Sequence, residues 1–157
     1  MLDNTFIGRI PVKSDEKGRI FVPATFRRIL KEMNSTRIIM RRDTDNECLI
    51  FYPEQVWNKK VNDLQQALDE WNADDQLILM QFMAEAECLE TDTQGRVLIT
   101  KPNLQLLGAK QDLLFVGMLD RFALWAADSF NAKCSNQRAL ADQIRERINR
   151  TKQQNNC

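Results

Sequence analysis

The chain has 157 residues, with 22 acidic and 22 basic side chains and no histidine. Its apolar fraction of 43% is typical of a folded protein. Without histidine, the commonest general base and the Ser-His and Cys-His catalytic pairs are missing. The four cysteines lie tens of residues apart, which excludes the usual spacing of a zinc site. Catalysis by carboxylates or lysines remains open, but nothing in the sequence concentrates such residues. We therefore expect a folded protein that is not an enzyme and binds no cofactor, metal or small-molecule substrate.

Hydropathy predicts no association with a membrane. No stretch of the chain approaches the roughly 20 apolar residues of a membrane-spanning helix. The N-terminus also lacks the basic start and apolar core of a signal peptide. We therefore expect a cytoplasmic protein.

The balanced total charge conceals a strong segregation along the sequence. Residues 1–42 carry a net charge of +6, residues 43–95 carry −11, and residues 96–157 carry +5. Two basic ends around an acidic middle are compatible with a folded body that has one basic face, as nucleic acid binding requires.

An internal repeat organises the chain. The pattern D-x-x-G-R followed by three apolar residues occurs at 15–22 and again at 92–99. Two further segments match in the same order, 37–40 with 113–116 and 48–54 with 121–127. Three matched segments in one order are far more specific than a single D-x-x-G-R, and they predict two copies of one module.

The first copy predicts a strand–turn–strand unit followed by a helix and a hairpin. Strands are expected at 8–13 and 19–22, around a turn that needs Asp and Gly. Pro23 then opens a helix whose buried stripe has helical spacing. Strands at 37–42 and 47–52 follow, joined by a polar turn at 43–46.

Two helices are predicted between the copies. The first begins at Pro53, and its apolar face extends to Leu68 and Trp71. The second spans 74–85, with Asp74 or Asp75 as its cap.

The second copy repeats the plan of the first. Pro102 opens a short helix that Gly108 ends, and strands at 112–118 and 121–125 turn at 119–120. The remaining residues, 128–152, carry an apolar residue every fourth position and predict a helix, before a frayed tail at 153–157.

These segments resemble the MraZ family of bacterial transcription regulators. The resemblance covers nearly the whole chain and adds four motifs to the two D-x-x-G-R segments. They are the helix start Pro23–Arg27, the C-L-x-x-Y-P segment Cys48–Pro53, the pair Glu87-Cys88 and the segment Phe122–Trp125. One departure is the second helix start at 100–104, which lacks the aromatic-Arg pair of the first.

The resemblance implies an α+β fold with flanking helices. Each repeat is similar to an AbrB-like swapped-hairpin half, and two such halves are expected to interlock into one pseudo-twofold β-barrel. The expected divisions are repeat 1 at 9–55, linking helices at 56–83, repeat 2 at 84–127, and a C-terminal helix and tail at 128–157.

The resemblance also implies a function. Family members bind direct repeats in the promoter of their own division and cell wall gene cluster, commonly as repressors, and assemble into rings. We therefore expect a nucleoid-associated, sequence-specific DNA-binding regulator that forms a ring-like homo-oligomer. An antitoxin-like protein-binding module is the alternative, because AbrB-type folds also host antitoxins.

The candidate DNA-binding residues surround the two D-x-x-G-R turns. An arginine after a turn glycine is placed to bind guanine bidentately or to clamp phosphate, and neighbouring basic side chains position a protein on the DNA backbone. The candidates are Arg19, Lys17, Lys13, Arg9, Arg27, Arg28, Arg96 and Lys101.

Four further residues are predicted to build the turns themselves, namely Asp15, Gly18, Asp92 and Gly95. The alternative for Arg19 and Arg96 is a purely structural ion pair with the aspartate of the same turn. For each lysine, the alternative is a solvated surface position.

Overall fold

A computed structural model describes residues 4–108 and 112–156 of the chain. The described elements follow one another in the order β1 (Arg9–Lys13), β2 (Arg19–Phe21), α1 (Ala24–Glu32), β3 (Ile38–Arg42), β4 (Leu49–Pro53), α2 (Glu54–Ala67), α3 (Ala73–Ala84), β5 (Ala86–Leu89), β6 (Arg96–Leu98), α4 (Lys101–Leu107), β7 (Asp112–Gly117), β8 (Phe122–Ala126), α5 (Ala127–Lys133) and α6 (Gln137–Asn155). The chain divides into two compact units, 1–127 and 128–157.

The strands of the first unit interleave the two repeats. A six-stranded antiparallel sheet has the order β1-β7-β8-β4-β3-β5, and β2 pairs with β6 in a separate two-stranded ribbon. The order is symmetric: if β1–β4 of repeat 1 are exchanged with their counterparts β5–β8 of repeat 2, the same strand order results, running in the opposite direction. The first strand of each repeat therefore pairs with the third strand of the other, as expected for interlocked halves.

The predicted closure into a barrel is wrong, although the α+β class is confirmed. The six-stranded ladder ends at β1 on one side and at β5 on the other, and these two edges do not pair. β2 and β6 pair only with each other, so they form a ribbon rather than a bridge that closes the sheet.

One apolar core serves both repeats. Five phenylalanines form its centre, and each contacts others in the group through ring-to-ring distances of 4.9–6.4 Å. These rings are Phe6, Phe26, Phe51, Phe115 and Phe122. Since they come from both repeats, neither repeat has a complete core of its own.

The linking helices differ from the prediction at two points. α2 ends at Ala67, so Trp71 lies beyond the helix with 90% of its surface exposed rather than on an apolar helix face. The cap of α3 is Asn72, whose side chain accepts a hydrogen bond from the backbone N–H of Asp75 at 3.0 Å. Asn and Asp are about equally favourable as helix N-caps, so the sequence alone did not distinguish Asn72 from Asp74 or Asp75.

The second unit is helical. The single helix expected over 128–152 is instead two helices, α5 and α6, because Asn136 begins a new helix by accepting a hydrogen bond from the backbone N–H of Ala139. Along α6 the side chains of Leu140, Ile144 and Ile148 are about half exposed. Among the described residues, no helix is both long enough and apolar enough to cross a bilayer.

Candidate nucleic-acid interface

The first D-x-x-G-R turn is held by Asp15. One carboxylate oxygen accepts hydrogen bonds from the backbone N–H groups of Lys17 at 2.9 Å and Arg19 at 2.8 Å, and the other accepts from Nε of Arg19 at 2.5 Å. The backbone of Gly18 closes the turn by donating to the carbonyl of Asp15 at 3.0 Å. Its φ of +87° lies in the left-handed region, where an L side chain is strained.

The second turn has the same geometry. Asp92 accepts from the backbone N–H groups of Gln94 and Arg96, each at 2.9 Å, and from Nε of Arg96 at 2.8 Å. Gly95 donates to the carbonyl of Asp92 at 3.0 Å and has a φ of +82°. The two copies therefore present their arginines in equivalent local surroundings.

These hydrogen bonds stabilise the charged form of each aspartate. The backbone N–H of Arg19 is the main cause that holds the pKa of Asp15 below its ordinary value, and the side chain of Arg19 adds to it. The backbone N–H of Arg96 does the same for the pKa of Asp92. Both carboxylates are therefore ionised at neutral pH and keep their arginines oriented.

Each turn is also tied to the opposite repeat. The carbonyl of Gly18 accepts a hydrogen bond from the backbone N–H of Ile99 at 2.8 Å, and the carbonyl of Gly95 accepts one from Val22 at 3.0 Å. The two turns therefore flank the β2–β6 ribbon, and each is hydrogen-bonded to the opposite repeat.

The ribbon brings Arg19 and Arg96 to the same exposed face. Ile20 and Val97, the middle residues of its strands, are buried, so the residues on either side of them point outward. Each guanidinium uses Nε to hold its aspartate, which leaves its two Nη groups without a hydrogen-bond partner within residues 4–108 and 112–156. These groups are directed donors for an external acceptor.

The other predicted basic residues are distributed unevenly around the ribbon. Lys17 lies in the first turn, and Lys13 lies at the adjacent end of β1, 3.8 Å from Asp112. Arg9 is at the opposite end of β1, about 13 Å further along the strand. Arg28 is exposed on α1, and Lys101 is exposed at the start of α4.

Arg27 has a different location from its neighbour Arg28. Its Nε donates to the carbonyl of Val22 at 3.0 Å. Its guanidinium lies so close to Gly95 that a Cβ on that glycine would be 2.7 Å away. Arg27, from repeat 1, thus packs against the turn of repeat 2. The equivalent position in the second repeat is Leu104, which lies against Gly18.

Arg41 and Arg42, two further basic residues at the end of β3, are not part of this surface. Arg41 is 7% exposed, and its guanidinium lies over the ring of Phe82 at 4.1 Å. The Nε of Arg42 donates to Asn103 at 2.8 Å.

Two exposed apolar residues on the ribbon were not predicted from the sequence. Phe21 is 54% exposed and Leu98 is 53% exposed, on the same face as the two arginines. In the sequence they belong to uniformly apolar runs, which hide the alternation that would have marked them as outward-facing.

The described residues contain no group of three or more Cys, Asp or Glu side chains that could hold a metal ion. Of the cysteines in this part of the chain, Cys48 is buried and its thiol donates to a carboxylate oxygen of Asp43 at 3.7 Å, whereas Cys88 and Cys134 are exposed.

The fold and its paired turns define an internally duplicated protein in which two interlocked halves present one two-stranded ribbon. A profile of the family described as "MraZ protein, putative antitoxin-like" matches residues 6–79 and 82–151, one match for each repeat. The chain belongs to the MraZ family.

Several relatives are similar over most of their length. A protein of Bacteroides fragilis is 43% identical over 123 residues, which is 78% of each chain, and one of Bacteroides thetaiotaomicron is 42% identical over 78% of this chain and 79% of its own. A protein of Carboxydothermus hydrogenoformans is 30% identical over 91% of this chain and 96% of its own. All three are named transcriptional regulator MraZ.

Proposed function

We propose that this protein is a sequence-specific DNA-binding transcription regulator that represses its own division and cell wall gene cluster by binding direct repeats in the promoter. The observation that carries the proposal is the β2–β6 ribbon, which presents two arginines with unpartnered Nη groups on one exposed face. A two-stranded ribbon fits the major groove of B-DNA, where arginine binds guanine O6 and N7 bidentately. The names of the relatives support the same function.

Basic side chains next to the first turn are suited to phosphate contacts. Lys17, Lys13 and Arg28 are exposed; they lie in the first turn, at the adjacent end of β1 and on α1, the helix that follows β2. Such contacts position a protein on the duplex without reading its sequence. Lys101 and Arg96 provide a smaller set of positive charges on the second repeat.

The test is a gel-shift titration against the duplex immediately upstream of the gene for this protein. We expect preferential binding over random DNA, with an affinity that falls about tenfold or more between about 50 and 200 mM salt, because phosphate contacts release counterions. Equal affinity for random DNA, or an affinity that does not respond to salt, would contradict the proposal.

We further propose that the protein acts as a ring-like homo-oligomer. α3 supports this, because Leu77, Ile78, Met80 and Met83 are 43–63% exposed and lie on different sides of the helix. Such a helix is normally covered. Several linked ribbons would also raise the effective concentration at repeated sites. Light scattering should give a mass several times the 18.3 kDa of one chain, and a stable monomer at micromolar concentration would contradict this.

An antitoxin-like, protein-binding function is the second candidate. Its support is the half-exposed apolar stripe of α6, formed by Leu140, Ile144 and Ile148. Purification from the native host distinguishes the two functions: a second protein that co-purifies in fixed stoichiometry, and whose activity the chain inhibits, would favour this candidate.

A further inference from the structure

The exposed face of the β2–β6 ribbon is not purely basic. It consists of two arginines and two large apolar side chains, and both apolar side chains are more than half exposed. Exposing Phe21 and Leu98 on one face is unfavourable in water, since each leaves apolar surface unburied that packing would otherwise remove.

The strand register combines these four residues into two pairs. Arg19 is directly opposite Leu98, and Arg96 is directly opposite Phe21. Residues opposite each other in an antiparallel ribbon have Cβ atoms about 4.5–5.5 Å apart. The guanidinium carbon of Arg96 accordingly lies 5.8 Å from the centre of the Phe21 ring. The internal symmetry of the fold relates the two pairs, so each arginine has one apolar neighbour from the other repeat.

We propose that Phe21 and Leu98 are specificity-determining residues that pack against the C5-methyl groups of thymines in the bound duplex. This inference rests on the proposed DNA-binding function and deepens it. Arginine binds the acceptors of guanine, whereas the thymine methyl is the main apolar group that the major groove offers to a side chain. One arginine and one apolar side chain at neighbouring positions therefore match the two kinds of group on the groove floor.

Charge argues for DNA rather than a second copy of the chain as the occupant of this face. Covering Phe21 and Leu98 with an apolar protein surface would also remove water from the unpartnered Nη groups of Arg19 and Arg96. Each guanidinium has its aspartate as a partner through Nε, but burying the pair would still cost the hydration of both charges and leave the Nη donors unsatisfied. Duplex DNA supplies acceptors and apolar methyls within the same groove.

The experiment compares two versions of the duplex upstream of the gene, one natural and one with every thymine replaced by deoxyuridine. The replacement removes only the C5-methyl groups. We expect the wild-type assembly to bind the deoxyuridine duplex about fourfold more weakly for each methyl group contacted by a subunit.

The variants Phe21→Ala and Leu98→Ala assign the effect to the two side chains. Each should bind the natural duplex more weakly than wild type and lose part of its sensitivity to deoxyuridine, and the double variant should bind both duplexes equally. Phe21→Leu, which makes the two pairs alike, should retain sensitivity to the methyl groups. Ile7→Ala is the matched control, because Ile7 is 63% exposed but precedes β1, away from the turn.

Three outcomes would overturn the inference. Equal wild-type affinity for the two duplexes means that no methyl group is contacted. Unchanged sensitivity in the double variant means that other residues contact the methyl groups. A smaller mass of Phe21→Ala in light scattering, with unchanged sensitivity to deoxyuridine, assigns the face to a second copy. The proposed function fails separately, when wild-type protein does not prefer the natural duplex over random DNA.

Discussion

The two repeats have the same turn and different surroundings. Within the turns, aspartate, glycine and arginine recur with matching hydrogen bonds, and the lengths differ by no more than 0.3 Å. Around the turns, the chemistry diverges. Repeat 1 carries Lys13, Lys17 and Arg28, whereas the equivalent positions of repeat 2 carry Glu90, Gln94 and Gln105.

This difference distinguishes the residues that form the turn from the charged residues around it. In each turn a carboxylate accepts three hydrogen bonds, the glycine adopts a positive φ, and the arginine is held through Nε. The flanking charges contribute nothing to this geometry, so they are able to vary between copies. We infer that repeat 1 provides most of the phosphate contacts and that repeat 2 serves mainly through Arg96.

The largest expected effect is that of Arg19→Ala on DNA affinity. Losing a bidentate guanine contact costs about 1–3 kcal/mol per contact, and the loss multiplies across the subunits of an assembly. Arg96→Ala should cost less, since the side chain of Arg96 is 20% exposed against 37% for Arg19 and lacks flanking lysines. Gel-shift titration of both variants against the promoter and random duplexes measures the difference.

Thermal unfolding provides the control for the arginine variants. Both should unfold near the wild-type temperature, because exposed ion pairs contribute little to stability. Lys17→Ala should weaken binding to promoter and random DNA alike. If Arg19→Ala lowers the melting temperature and leaves DNA affinity unchanged, the arginine merely stabilises its turn.

The second prediction concerns stability and distinguishes the two turn glycines. A Cβ at Gly18 would lie 2.3 Å from the carbonyl oxygen of Ile99, which is backbone and unable to move aside. Because this clash adds to the strain of a side chain at positive φ, Gly18→Ala should destabilise the fold by about 2–5 kcal/mol. At Gly95 the neighbour is the flexible end of Arg27, so Gly95→Ala should cost only about 1–2 kcal/mol. Denaturant unfolding compares the two, and equal losses would show that φ alone determines the cost.

The third prediction transfers the charge of repeat 1 to repeat 2. Glu90 occupies the position equivalent to Lys13, so Glu90→Lys removes a repulsion and adds one phosphate contact. We expect tighter binding to promoter and random DNA and a salt slope steeper by about 1. Glu70→Lys makes the same charge change in the α2–α3 loop and serves as the matched control. An identical gain in both variants would mean that only total charge matters.

The smallest effect is on the acid stability of the two turns. Because the folded-state pKa of Asp15 and of Asp92 is lowered, their stabilisation is complete above the ordinary aspartate pKa of about 4 and is lost as pH falls through the folded-state values. Melting temperatures measured between about pH 3 and 7 should therefore fall less steeply at the acid end for Asp15→Asn and Asp92→Asn. The change in slope should be similar in the two variants, because the two turns have matching hydrogen bonds. A change in only one variant would show that the two turns are not equivalent.

The local elements could be predicted from sequence because their determinants are local. The two Asp–Gly turns, the Pro23 and Pro102 helix starts and the Gly108 helix end follow from backbone preferences of single residues. The α+β class and the family followed from the ordered motifs.

What the sequence did not reveal depends on contacts between repeats. Arg27 appeared to be one more basic residue beside the first turn, but packing across the interface places it against Gly95. The exposure of Phe21 and Leu98 depends on β2 and β6 forming a ribbon outside the main sheet, and the same pairing leaves that sheet open. No spacing within one repeat encodes either arrangement.

The interleaved strand order has a consequence for how the chain is made. β1 pairs with β7, which joins Arg9 to Val116, so the first strand leaves the ribosome long before its partner exists. Pairings between residues so distant in sequence form slowly, because a long loop must close before any contact is gained. Until β7 has been synthesised, the nascent first repeat exposes an unpaired strand edge and three of the five core phenylalanines. Neighbouring nascent chains on one messenger are therefore competing partners, and their premature pairing would yield domain-swapped misfolded species.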